Sequence, residues 1–530
     1  MKPFELTDDW TRRDFLLSAS VGSGALLFSA VSGGCGGGST LVPPSSPPPI
    51  PPSAPKNEKS ESNYFSQFGI DEAMLNRLLG VALSKGGTFA DLFFQHSITN
   101  FIGLQDGEVN RAYSEVALGC GIRVLKGSQT GFAFTEDLTE KALNSAAQTA
   151  ATVADAPTPS LNTAVSRIVP SAYYGMKVPW ETVGLEKRIP LLQAANRRAS
   201  SADPKIQKVQ VYMNDKTSRV LIACSDGRMV EDLQPMTTVY VTCVAEDKGR
   251  REENYHSYGR RQGFEFYDEV MMIALADKAV AKTLVLFDAT PPPPGEYPVV
   301  LAPGTSGILL HEAIGHGMEA DFNRKGISVY SEKMGKRIAP DFVTIVDDGT
   351  CPSERGSINV DDEGILSART VLVENGILKS YMHDRISAAH YGVSPTGNGR
   401  RESYEFPPVP RMRNTYMMNG PHSPEEIIRS VKKGILAETF TNGQVRIGSG
   451  DFSFYLKNGR LIEDGKLTRP VKDANLIGFG PSVLEKVEMV GGDFAMSDGA
   501  STCGKDGQGV PVGMGLPTVK CGGISIGGVG

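Results

Sequence analysis

Residues 308–321 read ILLHEAIGHGMEAD and carry His311, Glu312 and His316, a His-Glu-x-x-x-His pattern in a chain with only seven histidines. Two imidazoles beside a carboxylate can hold a divalent metal and move a proton next to it. The familiar zinc-protease helix spaces its histidines at i and i+4, on one face. Here the spacing is i and i+5, which sets the side chains about 140° apart around a regular α-helix. They can grip one ion only if a bulge, kink or helix end falls between them. Gly315 and Gly317 give that permission, because glycine weakens a helix. The spacing therefore predicts a distorted helix. Two unrelated helix histidines, one buried and one exposed, satisfy it equally well.

A catalytic zinc takes three protein donors and keeps a fourth position open. Two histidines are one short, and another histidine, a carboxylate or a cysteine could complete the set. Residues 498–508, DGASTCGKDGQ, are glycine-flanked and loop-like. A cysteine there, Cys503, is placed for binding rather than for core packing. With a metal present, Glu312 would be the general base on its water. Glu319 and Asp321 either orient ligand imidazoles from behind or cap and solvate the helix end. Residues 395–403, PTGNGRRES, lack the Gly-Lys-Ser/Thr ending of a phosphate loop. They read as a structural turn, or as a contact to a peptide carboxylate through Arg400 or Arg401. His383 and His390 lie close enough in sequence to be further ligand candidates. Cys120, Cys224, Cys243 and Cys351 read as small buried hydrophobes. Cys224 and Cys243 fall on predicted strands of one region, where a disulfide could join them.

The elements around these residues describe an α+β protein. A small N-terminal α/β unit spans 68–155. Asp71 can cap a helix carrying Met74, Leu75, Leu78, Leu79 and Leu83. Strands are expected at 90–98, 118–124 and 131–134, then a helix over 139–153. A mixed α/β region spans 180–288, with strands at 209–213, 218–224 and 237–246 and a long helix over 264–284. A β-rich C-terminal domain spans 295–530 and carries the distorted helix. Asn375-Gly376, Asn458-Gly459 and Asp464-Gly465 mark hairpin turns there.

The first residues read as an address and a tether. Residues 11–17, TRRDFLL, open a mild apolar run that ends at Val31 and is interrupted by Ser and Gly. It makes a poor membrane span and resembles a twin-arginine export signal. Residues 32–35, SGGC, resemble a lipoprotein processing box with Cys35 as the lipid-bearing residue; ordinary signal cleavage is the other reading. The proline-rich stretch 36–67 is a linker that favours extended polyproline. The expectation is export to the periplasm or another extracytoplasmic site, with membrane contact only through a lipid anchor at Cys35. The 530 residues carry a formal net charge of −6 and no basic stripe, which argues against a nucleic-acid protein. Seven cysteines are too few for a disulfide scaffold.

With these pieces together, the sequence resembles the TldD/PmbA peptidases, on the metal-bearing TldD side, from about Gly69 to about Lys520. The resemblance rests on 311–321, on 395–403, on 410–416 (PRMRNTY) and on 503–508 (CGKDGQ). It implies one catalytic zinc per chain, held by His311, His316 and Cys503, with Glu312 catalytic. It implies hydrolysis of unstructured peptides or small protein fragments. It also implies a dimer, either a homodimer or a heterodimer with a metal-free paralogue. The family's older label as a gyrase modulator finds no support in a chain without a basic face. Two other functions compete: a non-catalytic zinc-containing peptide-binding or assembly subunit, and a metal amidohydrolase acting on non-peptide amides.

Overall fold

The computed structural model describes residues 63–154 and 163–528. The leader, Cys35 and the spacer up to residue 62 lie outside the described residues. The described residues begin inside the stretch assigned to the linker. Phe65 is fully buried and packs on Phe94, so the folded body reaches back to Asn63.

Very long antiparallel strands build the N-terminal half. Phe89–Gln105, Glu108–Lys126, Ile206–Cys224 and Arg228–Asp247 run for 17 to 20 residues. Phe89–Gln105 lies between Glu108–Lys126 and Ile206–Cys224, with Asp91 opposite Cys224 and Gln105 opposite Gln210. The two α/β stretches read from the sequence therefore share one sheet. The segments 209–213 and 218–224 also fuse into one strand. The polar run Asn214–Thr217 stays extended because buried Asp215 has partners: the buried Arg188 Nη1 at 2.5 Å and the half-buried Asn100 Nδ2 at 2.8 Å.

Strand alternation sorts this sheet into two faces. Leu92, Phe94, Leu221 and Ala223 point to helices Glu72–Leu83 and Glu140–Ala151. Val209, Val211, Met213, Val239 and Val241 point to helices Leu185–Ala202 and Glu269–Leu284. Phe93, Val220 and Ile222 point the other way and meet Val360 and Tyr404 of the C-terminal half. Asp71 caps its helix as expected, accepting from the Met74 amide at 2.7 Å. The helix expected over 264–284 starts later. Phe264–Phe266 is a short 3-10 turn, and Asp268 caps the helix proper through the Met271 amide at 2.8 Å.

The C-terminal half is β-rich. Strands Lys433–Val445, Gly295–Leu301, Val519–Gly528, Ala474–Phe479 and Asp451–Glu463 pair in that order, and the last pairs back with the first. This closes a small barrel filled by Phe440, Phe452, Phe454, Leu456 and Leu476. A six-stranded sheet that includes Ile345–Asp348, Asn414–Met417 and Gly513–Leu516 lies beside it. The segment Ile308–Met318 packs between barrel and sheet, with Leu309, Leu310, Ala313, Ile314 and Met318 all buried. That placement aims its polar residues away from the barrel core.

Two hairpin expectations hold. Asn375-Gly376 and Asp464-Gly465 both take left-handed backbone, with φ of 49° and 77°, and 48° and 73°. Asn458-Gly459 does not turn: it lies inside strand Asp451–Glu463. Asn458 is buried and bonds Thr439 Oγ1 at 2.9 Å and Asn254 Nδ2 at 3.0 Å. Gly459 is required because a Cβ there would sit 2.6 Å from the Leu436 carbonyl oxygen. A Cys224–Cys243 disulfide is also excluded, since both are free thiols. Cys243 faces Val209, at the far end of the strand that ends in Cys224. Fifteen residues of strand separate those levels, about 50 Å.

Candidate metal centre

The site helix changes its winding where the histidines stand. Ile308–Leu310 is one α-turn, His311–Gly315 is a π-turn, and His316–Met318 tightens to 3-10. The amide of His316 donates to the carbonyl of His311, five residues earlier. A π-turn takes up one extra residue, so i and i+5 land where i and i+4 would in an α-helix. The two rings end up 5.2 Å apart, centre to centre. Gly315 and Gly317 have ordinary helical backbone, so their role is packing. A Cβ on Gly315 would sit 2.1 Å from Met412 Sδ, and one on Gly317 would sit 2.7 Å from the Tyr330 ring.

The third donor arrives from a hairpin. Thr502–Lys505 and Gln508–Pro511 pair across the Asp506-Gly507 turn. Cys503 Sγ lies 3.3 Å from His316 Nε2. Donor atoms of His311, His316 and Cys503 all fall within 4.8 Å of one another, and all three residues are buried. Ligands bound to zinc at 2.0–2.3 Å at tetrahedral corners stand about 3.3–3.7 Å apart, so the cluster closes on an ion by small side-chain movements. The buried His311 Nδ1 has no hydrogen-bond partner among the described residues, as expected of a ring held ready for another group. Two imidazoles and a thiol are a zinc-type donor set. No fourth His, Cys, Asp or Glu joins the group among the described residues.

Electrostatics favour the thiolate form of Cys503. Against burial, Glu319 and Cys503 together raise the His316 imidazole well above its ordinary value, and a bound cation would displace that proton. Burial alone would raise the Cys503 thiol, but the His316 and His311 imidazoles hold it well below its ordinary value. Glu319 is fully buried and its Oε2 lies 3.0 Å from His316 Nδ1. It therefore stands behind the ring instead of solvating a helix end, in the carboxylate–imidazole arrangement that fixes a ligand's tautomer. Burial would raise its carboxyl, yet Lys505 and His316 bring it down to about 2. Lys505 Nζ bridges Glu319 at 3.2 Å and Asp321 at 2.7 Å. Asp321 thus acts on the site through Lys505. Arg411 bonds the Cys503 carbonyl and, at 3.2 Å, that of Gln508, which pins the hairpin.

Glu312 Oε2 lies 3.8 Å from His316 Nε2. Its side chain keeps 19% of its surface, against 7% for His316 and 0% for Glu319, so Glu312 is the carboxylate that an incoming molecule can reach. Burial raises its carboxyl above the usual range.

The remaining candidates lie elsewhere. Arg400 is buried and bonds the carbonyls of Met412 at 2.6 Å and Pro511 at 2.8 Å. Arg401 is buried over the Phe93 ring and pairs with Asp91 at 3.1 Å, tying the C-terminal half to the first sheet. Both guanidinium groups are engaged within the chain. His383 packs among Tyr381 and Tyr391, and neither it nor His390 joins the donor group. Sequence reasoning assigns no role to Lys505 or Arg411. A signal for Lys505 exists: two residues after Cys503 on a strand is the same face.

The chain matches the PmbA/TldA metallopeptidase models over their domain 1 (90–154), central domain (178–287) and C-terminal domain (294–528). It is 40% identical over 447 residues to a Haemophilus influenzae protein named metalloprotease TldD homolog, covering 83% of this chain and 93% of that one. A Saccharolobus solfataricus protein named zinc metalloprotease TldD homolog is 29% identical over 449 residues, covering 84% and 97%. The fold is shared with the crystal structure of TldE from Thermococcus kodakarensis, at a TM-score of 0.65 and 20% identity, covering 86% of this chain and all of that one. Matches to all three domain models, and a relative this similar along nearly its whole length, place the chain in the PmbA/TldD family of metallopeptidases.

Proposed function

We propose that this chain is a zinc-dependent peptidase that hydrolyses unstructured peptides or small protein fragments. The observation that carries the reading is a donor group of three, with no fourth protein donor among the described residues, beside a reachable Glu312. A closed structural site would need a fourth ligand and has no use for that carboxylate. A zinc ion bound by His311, His316 and Cys503 would polarise a scissile carbonyl and lower the pKa of a water.

The chain's own residues supply the rest. Glu312 takes the proton of the attacking water and returns it to the leaving amine. Glu319 holds the His316 ring in one orientation, and Lys505 holds Glu319. Arg411 fixes the backbone of the Cys503 strand. The Cys503 hairpin is a two-stranded ribbon without a third strand among the described residues, and an extended peptide can pair with such an edge without regard to its side chains. A homodimer, or a heterodimer with a metal-free paralogue, and export by the twin-arginine route belong to the same reading. Their support is the family resemblance and the leader sequence.

The test is Glu312→Gln. It should keep its zinc and lose peptide cleavage by about 100-fold or more. Unchanged cleavage with zinc bound would end the assignment. Cys503→Ala should lose the zinc, and a parallel panel of small non-peptide amides separates a peptidase from a general amidohydrolase.

A further inference from the structure

A groove of about 800 Å³ lies between the first sheet and the C-terminal half. Its floor is the sheet face opposite the helices. Phe101, Tyr113, Tyr212 and Tyr240 rise from four different strands, and Phe101 stacks on Tyr113 with centroids 5.1 Å apart. Three cations line it, Arg111, Lys216 and Arg355, and among the described residues no carboxylate does.

The groove reaches the metal centre through a short chain of contacts. Lys216 sits directly across from Met236 on the neighbouring strand. Arg355 contacts Met236 Sδ at 3.0 Å and then bonds the Ser501 carbonyl at 2.8 Å and Thr502 Oγ1 at 3.2 Å. Thr502 precedes Cys503. Pro511, opposite Thr502 in the hairpin, is itself part of the groove wall.

Of the three cations, Arg355 is engaged by that loop. Arg111 is exposed and lies over the Tyr113 ring, 4.9 Å from its centroid, at the far end of the groove. Lys216 is different. It is half-buried on the groove floor, and its ammonium makes no hydrogen bond or ion pair among the described residues. Glu402 is the carboxylate whose field acts on it most strongly, and Glu402 is occupied by the Gly509 amide at 2.5 Å. Glu115 and Asp362 also face Lys216 from beyond ion-pair distance, and Arg261 adds a repulsive charge. An ammonium in this position carries a desolvation cost that a carboxylate partner would offset.

We propose that the groove is a substrate subsite in which Lys216 binds a carboxylate of an extended peptide, from an acidic side chain or from the chain's own C-terminus, with neighbouring residues lying on the Tyr212–Phe101–Tyr113 floor. The proposal deepens the peptidase reading and rests on it for the identity of the ligand. The aromatic floor tolerates many side chains, because stacking and apolar contact read surface more than sequence. The single unpaired ammonium supplies the selective element.

The test uses the full zinc-loaded chain carrying Glu312→Gln, so that bound peptide is not consumed. Binding of fluorescent peptides is measured by anisotropy. One series replaces a single Glu by Gln at successive positions, and a second compares a free C-terminus with its amide. One acidic form should bind about tenfold tighter than its neutral partner. Which series shows it identifies the source of the carboxylate. Lys216→Met should bring that ratio to about one, and Lys216→Arg should retain most of it, which separates lost charge from lost fold. Equal binding of acidic and neutral forms, or a preference that survives Lys216→Met, overturns the subsite. Cleavage of the same peptides by the wild-type chain is scored separately. If none is cut, the peptidase reading fails, while the binding ratios still decide the subsite.

Discussion

The His316 amide donates to the His311 carbonyl five residues earlier, and this one hydrogen bond turns an unfavourable spacing into a workable one. In an α-helix the two rings would diverge. In the π-turn they stand 5.2 Å apart with Cys503 Sγ beside them. A π-turn is costly by itself. Here it is held by tertiary packing against Met412, Tyr330 and helix Gly480–Glu485.

Gly315→Ala should therefore destabilise the site more than an ordinary helix substitution. Its Cβ would meet Met412 Sδ at 2.1 Å. Overpacking of this kind costs about 1–3 kcal/mol. Thermal unfolding should show a lowered midpoint, and chelator competition a weakened zinc affinity. Adding Met412→Ala should recover part of both. A single variant as stable as the parent would show that the contact is not tight.

Glu319→Gln should weaken zinc binding by about 10–100-fold, because the buried carboxylate that orients His316 is gone. Lys505 also loses one of its two carboxylate partners. The measurement is zinc affinity by competition with a chromophoric chelator. Unaltered affinity would mean that His316 is oriented by its packing alone.

Acid should destabilise the fold between about pH 6.5 and pH 4. Burial holds His383 down at about 4, and burial together with Lys282 does the same for His256. Between those values and the ordinary histidine value the unfolded chain binds protons that the folded chain refuses. Stability from these groups is thus complete above pH 6.5 and is lost as pH falls toward 4, by up to about 3 kcal/mol for each. Urea midpoints from pH 7.5 to pH 5 should fall less steeply for His383→Phe than for the parent. Parallel curves would show that His383 is protonated as readily in the fold as outside it.

Export should depend on the paired arginines. Arg12→Lys with Arg13→Lys should leave the precursor in the cytoplasm. Cys35→Ala should yield a chain that fractionates as soluble if the lipid at Cys35 is its anchor. Fractionation and immunoblotting read both outcomes. Membrane association that persists in Cys35→Ala would assign the anchor to another segment.

Features set by neighbouring residues are legible in the sequence. The Asp71 cap is a local hydrogen bond, and Asn375-Gly376 and Asp464-Gly465 turn because their own backbones allow positive φ. The i, i+5 spacing lets both rings reach one ion only through a distorted turn, for the same reason: helix geometry fixes where side chains point. Asn458-Gly459 has the same local signal and does not turn, because Asn254 and Thr439 supply partners from elsewhere in the chain.

Residue order along the chain is thus enough to indicate a distorted helix and the α+β character, while it leaves open whether His311 and His316 meet. Folding in three dimensions decides that Cys503, 187 residues from His316, stands beside it. It also decides that two α/β stretches merge through the pairing of Phe89–Gln105 with Ile206–Cys224, and that Arg400 and Arg401 turn inward. One cause underlies all three. Backbone geometry acts over a few residues and can be read from spacing, whereas burial and charge pairing select among partners that only the folded chain brings within a few ångströms.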